Sequence, residues 1–189
     1  MKHTILFMII YVLLNHHNIT AQHKSHQIDL EIDPATFVLN GYSIHVRYSA
    51  PQWDHLSIGL GGYAMDMPDV LVNFNPKNQR KNWDVRLNKG LGVFAEYHVN
   101  KINDGFFIGS QFGWQAYKIE KNQFHESYNT LLVMAHGGYV LPMFDRFYLK
   151  PWAGIGYVSK LSGQTIVDDT TYSVAPITGF ATLHIGYRF

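Results

Sequence analysis

The sequence contains no cysteine among its 189 residues. That excludes a disulfide framework, a thiolate metal site and a lipidated cysteine of the lipoprotein type. Charge is also scarce. Asp, Glu, Lys and Arg make up 15% of the chain, against about a quarter in ordinary soluble domains. The 15 basic and 14 acidic residues leave a formal charge of +1, which gives no reason to expect a nucleic-acid partner. Beyond the N-terminus there is no long apolar run, and the mean hydropathy is −0.11, so a bundle of membrane-spanning helices is excluded. Seven Pro and 16 Gly are too few for a collagen-like or low-complexity chain. None of these shortages excludes a transmembrane β-barrel, which spreads its apolar residues over alternate positions. Aromatic residues are plentiful, at 15%, with 12 Tyr and 12 Phe.

Residues 1–21 read as an export signal: Lys2 is the positive start, residues 5–14 the apolar core, and Thr20-Ala21-Gln22 the cleavage region. The apolar core is too short to cross a bilayer as a helix. Residues 22–27 form a polar lead, and residues 28–189 a single β domain.

The clearest strand is the last. Ile177, Gly179, Ala181, Leu183, Ile185, Tyr187 and Phe189 share one face, with Thr178, Phe180, Thr182, His184, Gly186 and Arg188 on the other. The same period of two predicts strands over 42–49, 55–65, 87–99, 105–119, 128–141 and 147–161. That gives seven, whereas single-chain bacterial barrels use an even number. Residues 28–39 supply an eighth, with Asn40-Gly41 as a hairpin turn. Pro34 interrupts that stretch, and a short helix starting at Asp33-Pro34 is the alternative. Residues 51–54, 100–104 and 142–146 then fall as short turns at the end that holds the C-terminus. The longer connections 66–86, 120–127 and 162–172 fall at the other, as expected for periplasmic turns and outer loops.

Alternation alone does not say which face points outward, and a soluble lipocalin-type barrel would be the same pattern inside out. The polar face is Gly, Ser, Thr, Gln and His rather than the Lys, Glu, Asp and Arg of a soluble exterior. It therefore reads as a packed lumen. Tyr48, Phe106, Trp114, Tyr157 and Tyr187 lie toward strand ends on the apolar face, as an interfacial girdle does.

The fold class expected is thus all-β: an eight-stranded antiparallel transmembrane β-barrel after an N-terminal signal peptide. The chain resembles the small outer-membrane β-barrel proteins of the OmpA/OmpX-like superfamily, Bacteroidetes type. The resemblance rests on the strand pattern, on Pro-Trp-Ala-Gly-Ile-Gly-Tyr at 151–157 and on Leu-His-Ile-Gly-Tyr-Arg-Phe at 183–189. It implies an outer-membrane location, a terminal signal at Tyr187 and Phe189 read by the barrel-assembly machinery, and outer-membrane lipid or lipopolysaccharide as surroundings. A monomer without a cofactor is expected. Fold does not fix activity.

Several charges fall on the polar face. Asp29 and Glu31 on strand one should meet Arg47 and Arg188 in one layer, because strand one neighbours both partners once the barrel closes. His45, Glu96, His98, Gln111, Gln115, His136, Lys150 and His184 extend this set. The reading favoured is structural filling of a lumen too narrow for a channel; a proton or ion path is the sharper alternative. A lipid A-modifying enzyme would need Ser, His and an acid at the membrane rim; His125-Glu126-Ser127 supplies those types, but contiguous residues rarely provide triad geometry, so a polar loop in a protein that is not an enzyme is the reading favoured. The glycine pairs 90/92 and 154/156 make room on the lumen face. His23 and His26 on the polar lead do not make a metal site, and Asp168-Asp169, which could hold a cation weakly, reads rather as a solvated loop, so no metal is expected. Phe74, with Lys77, Arg80 and Lys81, is the candidate outer-loop binding surface.

Overall fold

A computed structural model describes residues 25–189; the export signal expected over 1–21, and His23 with it, lies outside the described residues. Eight antiparallel strands close into a barrel: β1 (Gln27–Ile32), β2 (Tyr42–Ser49), β3 (Leu56–Asp66), β4 (Asp84–His98), β5 (Gly105–Lys121), β6 (Phe124–Pro142), β7 (Phe147–Gly163) and β10 (Ile177–Arg188). Each pairs with its neighbour in sequence, and β1 closes the ring against β10 through Asp29↔Arg188 to Ile32↔Ile185. A two-stranded hairpin, β8 (Ile166–Val167) and β9 (Thr170–Thr171), forms a sheet of its own packed on the ends of β5 and β6.

The first strand is shorter than the sequence pattern suggests. It stops at Ile32, and residues Pro34–Val38 form a short helix instead of continuing to 39. The cause is local. The Asp33 side chain accepts from the Ala35 N–H at 2.9 Å and Pro34 occupies the first helical position, where a missing N–H does no harm. Asn40-Gly41 is correspondingly a helix stop rather than a hairpin turn: Asn40 has φ 54° and the Gly41 N–H donates to Thr36 O at 2.8 Å. Six residues of β1 suffice to close the ring, so eight strands do not require a long first one.

The far ends of the strands also differ from expectation. Residues 120–127 are not a loop, because β5 and β6 run on to a two-residue turn at Asn122-Gln123, both with positive φ. Asp168-Asp169 is likewise the tight turn of the β8–β9 hairpin. The expected connection 66–86 narrows to 67–83 and contains two short helical pieces, Asp69–Val72 and Pro76–Asn78. A bulge between Leu87 and Lys89 switches the facing of β4, so Val85 and Leu87 are buried while Leu91 and Val93 point outward.

Between the two ends the outer surface is apolar. Ile44, Val46, Ile58, Leu60, Leu91, Val93, Ile108, Phe112, Ile155 and Leu183 are all exposed, several by more than half. A monomeric soluble protein does not carry an apolar belt that encircles it. At the end nearest the C-terminus the belt is bordered by rings in edge contact: Phe106 on Tyr139 at 4.7 Å, Phe147 on Tyr187 at 4.9 Å and Tyr187 on Phe189 at 5.1 Å. This is the outward face of a transmembrane barrel, and the soluble alternative is set aside.

Candidate functional site

Because alternate residues of every strand point inward, the lumen collects the polar face of the chain. Glycines opposite large rings make that possible. Tyr63 faces Gly90, Phe94 faces Gly59 and Tyr148 faces Gly186 across paired strands, and a Cβ on any of these glycines would stand inside the ring. The pair 90/92 thus does make room in the lumen, with Gly92 giving space to the Gln111 amide.

At the end nearest the C-terminus, Asp29 accepts from Gln27 Nε2 at 2.9 Å and from Asn103 Nδ2 at 2.8 Å, with Arg188 Nε 3.9 Å away. Asn103 belongs to the 100–104 turn, which folds beneath the barrel to reach this carboxylate; its φ of 61° is a conformation asparagine tolerates. Above it lies a four-charge plug. Lys150 Nζ is 2.9 Å from both Glu96 oxygens and 3.2 Å from Glu31 Oε1. Arg47 pairs with Glu96 and lies 3.4 Å from Glu31. Tyr148 donates to Glu31 at 2.8 Å, His184 Nδ1 is 3.0 Å from Glu31, and His136 Nε2 is 3.1 Å from Glu96. His98 is more distant, 3.7 Å from Glu96 and 3.4 Å from the Ser57 hydroxyl. Lys150 also lies 4.6 Å over the Phe107 ring.

The expected single layer of Asp29, Glu31, Arg47 and Arg188 is therefore split. Arg47 stands opposite Asp29 in register, yet its long side chain reaches Glu31 and Glu96. Arg188 stays at the rim, 37% exposed, beside Asp29. Two carboxylates and two cations remain in the plug, so its formal charge cancels, which is what makes four buried charges tolerable. Tyr148, Ser57 and Asn103 were not anticipated. Tyr148 could have been, as a lumen-parity aromatic opposite a glycine.

Beyond the plug, toward the far end, is a cavity of about 100 Å³ whose floor is formed by His45, His184 and Trp152. One wall is a polar run: Gln115 and Gln111 donate to Tyr63 Oη at 3.2 and 3.4 Å, and Thr130 donates to Gln115 Oε1 at 3.3 Å. Interleaved with this run, on β3, β4 and β6, the apolar side chains Met65, Leu87, Leu132 and Met134 also line the cavity.

The far end is capped by the connections themselves. Val72, Trp83, Val85, Ile119, Tyr128, Val167 and Tyr172 form a buried cluster drawn from both long connections and the strand ends beneath them. Tyr117 and Tyr128 stack at 5.0 Å, and Trp83 meets Tyr172 edge-on at 5.4 Å. Burial lifts the Tyr172 phenol above its ordinary pKa. Buried Asn78 joins the two connections: its Nδ2 donates to Val72 O and Ser173 O at 3.2 and 2.9 Å, and its Oδ1 accepts from Ser173 N at 2.8 Å. Asn78→Ala is expected to leave those backbone groups unpaired and to cost about 1–3 kcal/mol. The check is limited proteolysis of the folded barrel, which should cut between 67 and 83 faster than in the parent; unchanged cutting would deny Asn78 this role.

Phe74, Lys77 and Arg80 are exposed and Lys81 half-buried, all in the 67–83 connection. His125, Glu126 and Ser127 lie on β6 rather than a loop, where strand alternation puts Glu126 on the face opposite His125 and Ser127. That placement is incompatible with a triad of these three. His26 is engaged with Tyr48, its Nδ1 2.7 Å from the phenol oxygen and the rings 5.8 Å apart.

No protein-family model matches the chain, and no curated protein matches it. Solved structures do. They include the N-terminal β-barrel domain of Pseudomonas aeruginosa OprF (13% identity over 88% of this chain and 98% of that one, TM-score 0.43). Neisserial surface protein A is another (12% identity, 86% and 94%, TM-score 0.43). A major outer membrane protein from Thermus thermophilus aligns over 87% of this chain and 99% of its own, with 12% identity and a TM-score of 0.55. The chain therefore has the fold of an outer membrane protein, an eight-stranded antiparallel barrel.

Proposed function

We propose that this chain is an outer-membrane barrel with a structural or surface-interaction role, its lumen plugged and its outer connections serving as the binding surface. The observation that carries this reading is the four-charge plug of Glu31, Glu96, Arg47 and Lys150, whose side chains are at most 4% exposed. A lumen filled in that way leaves the outside of the molecule to do the work, and it argues against the narrow-pore alternative. In this reading residues 1–21 direct export and are removed. The assembly machinery takes up the chain by Tyr187 and Phe189, and a monomer results. The cap points away from the cell, and Lys77, Arg80 and Lys81 beside Phe74 meet anionic lipopolysaccharide.

Charge reversal at Lys77, Arg80 and Lys81 together is the test. Binding of the refolded barrel to lipopolysaccharide vesicles should fall at least tenfold, and the parent's binding should weaken as salt rises. Undiminished binding by the reversed variant would remove the 67–83 connection from the proposal. Lipid A modification by the purified barrel would replace this reading with the enzymatic one.

A further inference from the structure

The short first strand has a consequence for the barrel wall. Above Ile32 the position between β2 and β10 is held by the Pro34–Val38 helix. From Ile177 to His184, β10 pairs with β7 on one side and, among the described residues, has no strand partner on the other. The side-chain tie across this seam is Thr182, which donates to Asp33 Oδ1 at 2.8 Å. A sheet edge facing hydrocarbon would leave backbone groups unsatisfied at several kcal/mol each. Such an edge persists only where it lines a cavity, and here it does: Asp33, Thr36, Thr178 and Phe180 border both the seam and the 100 Å³ cavity. The helix itself is two-faced, with Thr36 buried toward the lumen and Phe37 and Val38 exposed outward at 52% and 87%.

We infer that this seam is a lateral portal, and that the cavity behind it binds a small apolar molecule carrying one oxygen, such as a short-chain alcohol, entering from the membrane. The lining selects that chemistry. Met65, Leu87, Leu132 and Met134 offer an apolar and adaptable wall, since methionine repacks easily. Trp152 borders the cavity, and its indole N–H is buried with no acceptor among the described residues; a small turn of the ring toward the cavity would let a ligand oxygen complete it. An apolar protein cavity of about 150 Å³ takes benzene, with its six non-hydrogen atoms, so this one of about 100 Å³ suits a molecule on the order of four. The plug below prevents passage onward, making this a binding site and not a conduit. The inference rests on membrane embedding but goes beyond the surface role proposed above.

The probe is 2-fluoroethanol, which has four non-hydrogen atoms, followed by fluorine NMR with the barrel in lipid nanodiscs, together with methionine methyl spectra. Saturable binding is expected, moving the methyls of Met65, Met67 and Met134 and not that of Met143, which is exposed outside the cavity. Thr178 faces Gly156 across β7, so Thr178→Phe places a ring over that glycine and should weaken binding at least tenfold. Because the chain has no cysteine, Asp33→Cys with Thr182→Cys can be bridged by dibromobimane. Bridging should slow probe exchange at least tenfold. A linear, unsaturable shift, or equal movement of Met143, in a barrel that still shows a folded-barrel gel shift overturns the site. Exchange as fast after bridging overturns the portal. A chain that does not insert into lipid at all overturns the portal and the membrane reading together.

Discussion

Lys150→Met is expected to destabilise the barrel by about 3–5 kcal/mol, the range for removing one partner of a buried ion pair. Lys150 is 2% exposed and holds Glu96 with both oxygens at 2.9 Å while also contacting Glu31. Without it, Arg47 is the one permanent cation left beside two buried carboxylates, whose other contacts are Tyr148, His184 and His136. The unfavourable part of the change is the charge left behind rather than the bond removed, and a second variant separates the two. Glu96→Gln added to Lys150→Met restores charge balance, so the double variant should be more stable than the sum of the single effects by about 0.5–3 kcal/mol. Urea titration of barrels refolded in lipid vesicles measures all three. Strict additivity would mean that the four side chains do not act as one plug.

The second large effect concerns the outside. Val93 is 51% exposed and lies on the outward face of β4, between exposed Lys89 toward one end of the strand and exposed Val99 just past the other. In a membrane Val93→Arg places a cation near the hydrocarbon middle and should cost about 2–4 kcal/mol, whereas Val99→Arg at the rim should cost about 0–1 kcal/mol. On a soluble barrel both would be ordinary surface substitutions within about 0.5 kcal/mol. The depth dependence is therefore the informative quantity. Equal, small effects at the two positions would mean that the belt does not face lipid.

Much of this architecture was legible in the residues because a transmembrane strand is under two opposed demands at once. From Ile177 to Phe189, lipid requires one face apolar and the crowded lumen requires the other small or polar, so the period of two is nearly unbroken. The pattern fails where one demand lapses. Past the membrane, β5 and β6 continue through Glu120, Lys121, His125 and Glu126 with water available to both faces; pairing persists but alternation does not. A polar stretch there reads as loop. The helix at Pro34–Val38 was obscured for another reason. Asp33-Pro34 carries a helix-start signature, but an even strand count favours reading one long strand, although β1 closes the ring with six residues.

The lumen residues were legible by parity but not by partner. Alternation places Glu31, Arg47, Glu96 and Lys150 inside; it does not say which heights meet across the barrel. Arg47 passes over its register neighbour Asp29 to join Glu31 and Glu96, and Asp29 is met instead by Asn103 from a turn. The reach of a long side chain and the folding-in of a turn are tertiary facts that no period reveals. The cap shows the same limit. Asn78 and Ser173 lie at separate points of the chain, and nothing local marks them as partners.

The central claim, a barrel folded in the outer membrane around a plugged lumen, is tested most directly by heat-modifiability. The outer-membrane fraction is run on a detergent gel, unheated and boiled. The account predicts a fast-migrating band before heating and a slower one after, because a closed barrel resists detergent until its strands are thermally separated. A protein recovered in the soluble periplasmic fraction, with one mobility regardless of heating, would contradict it.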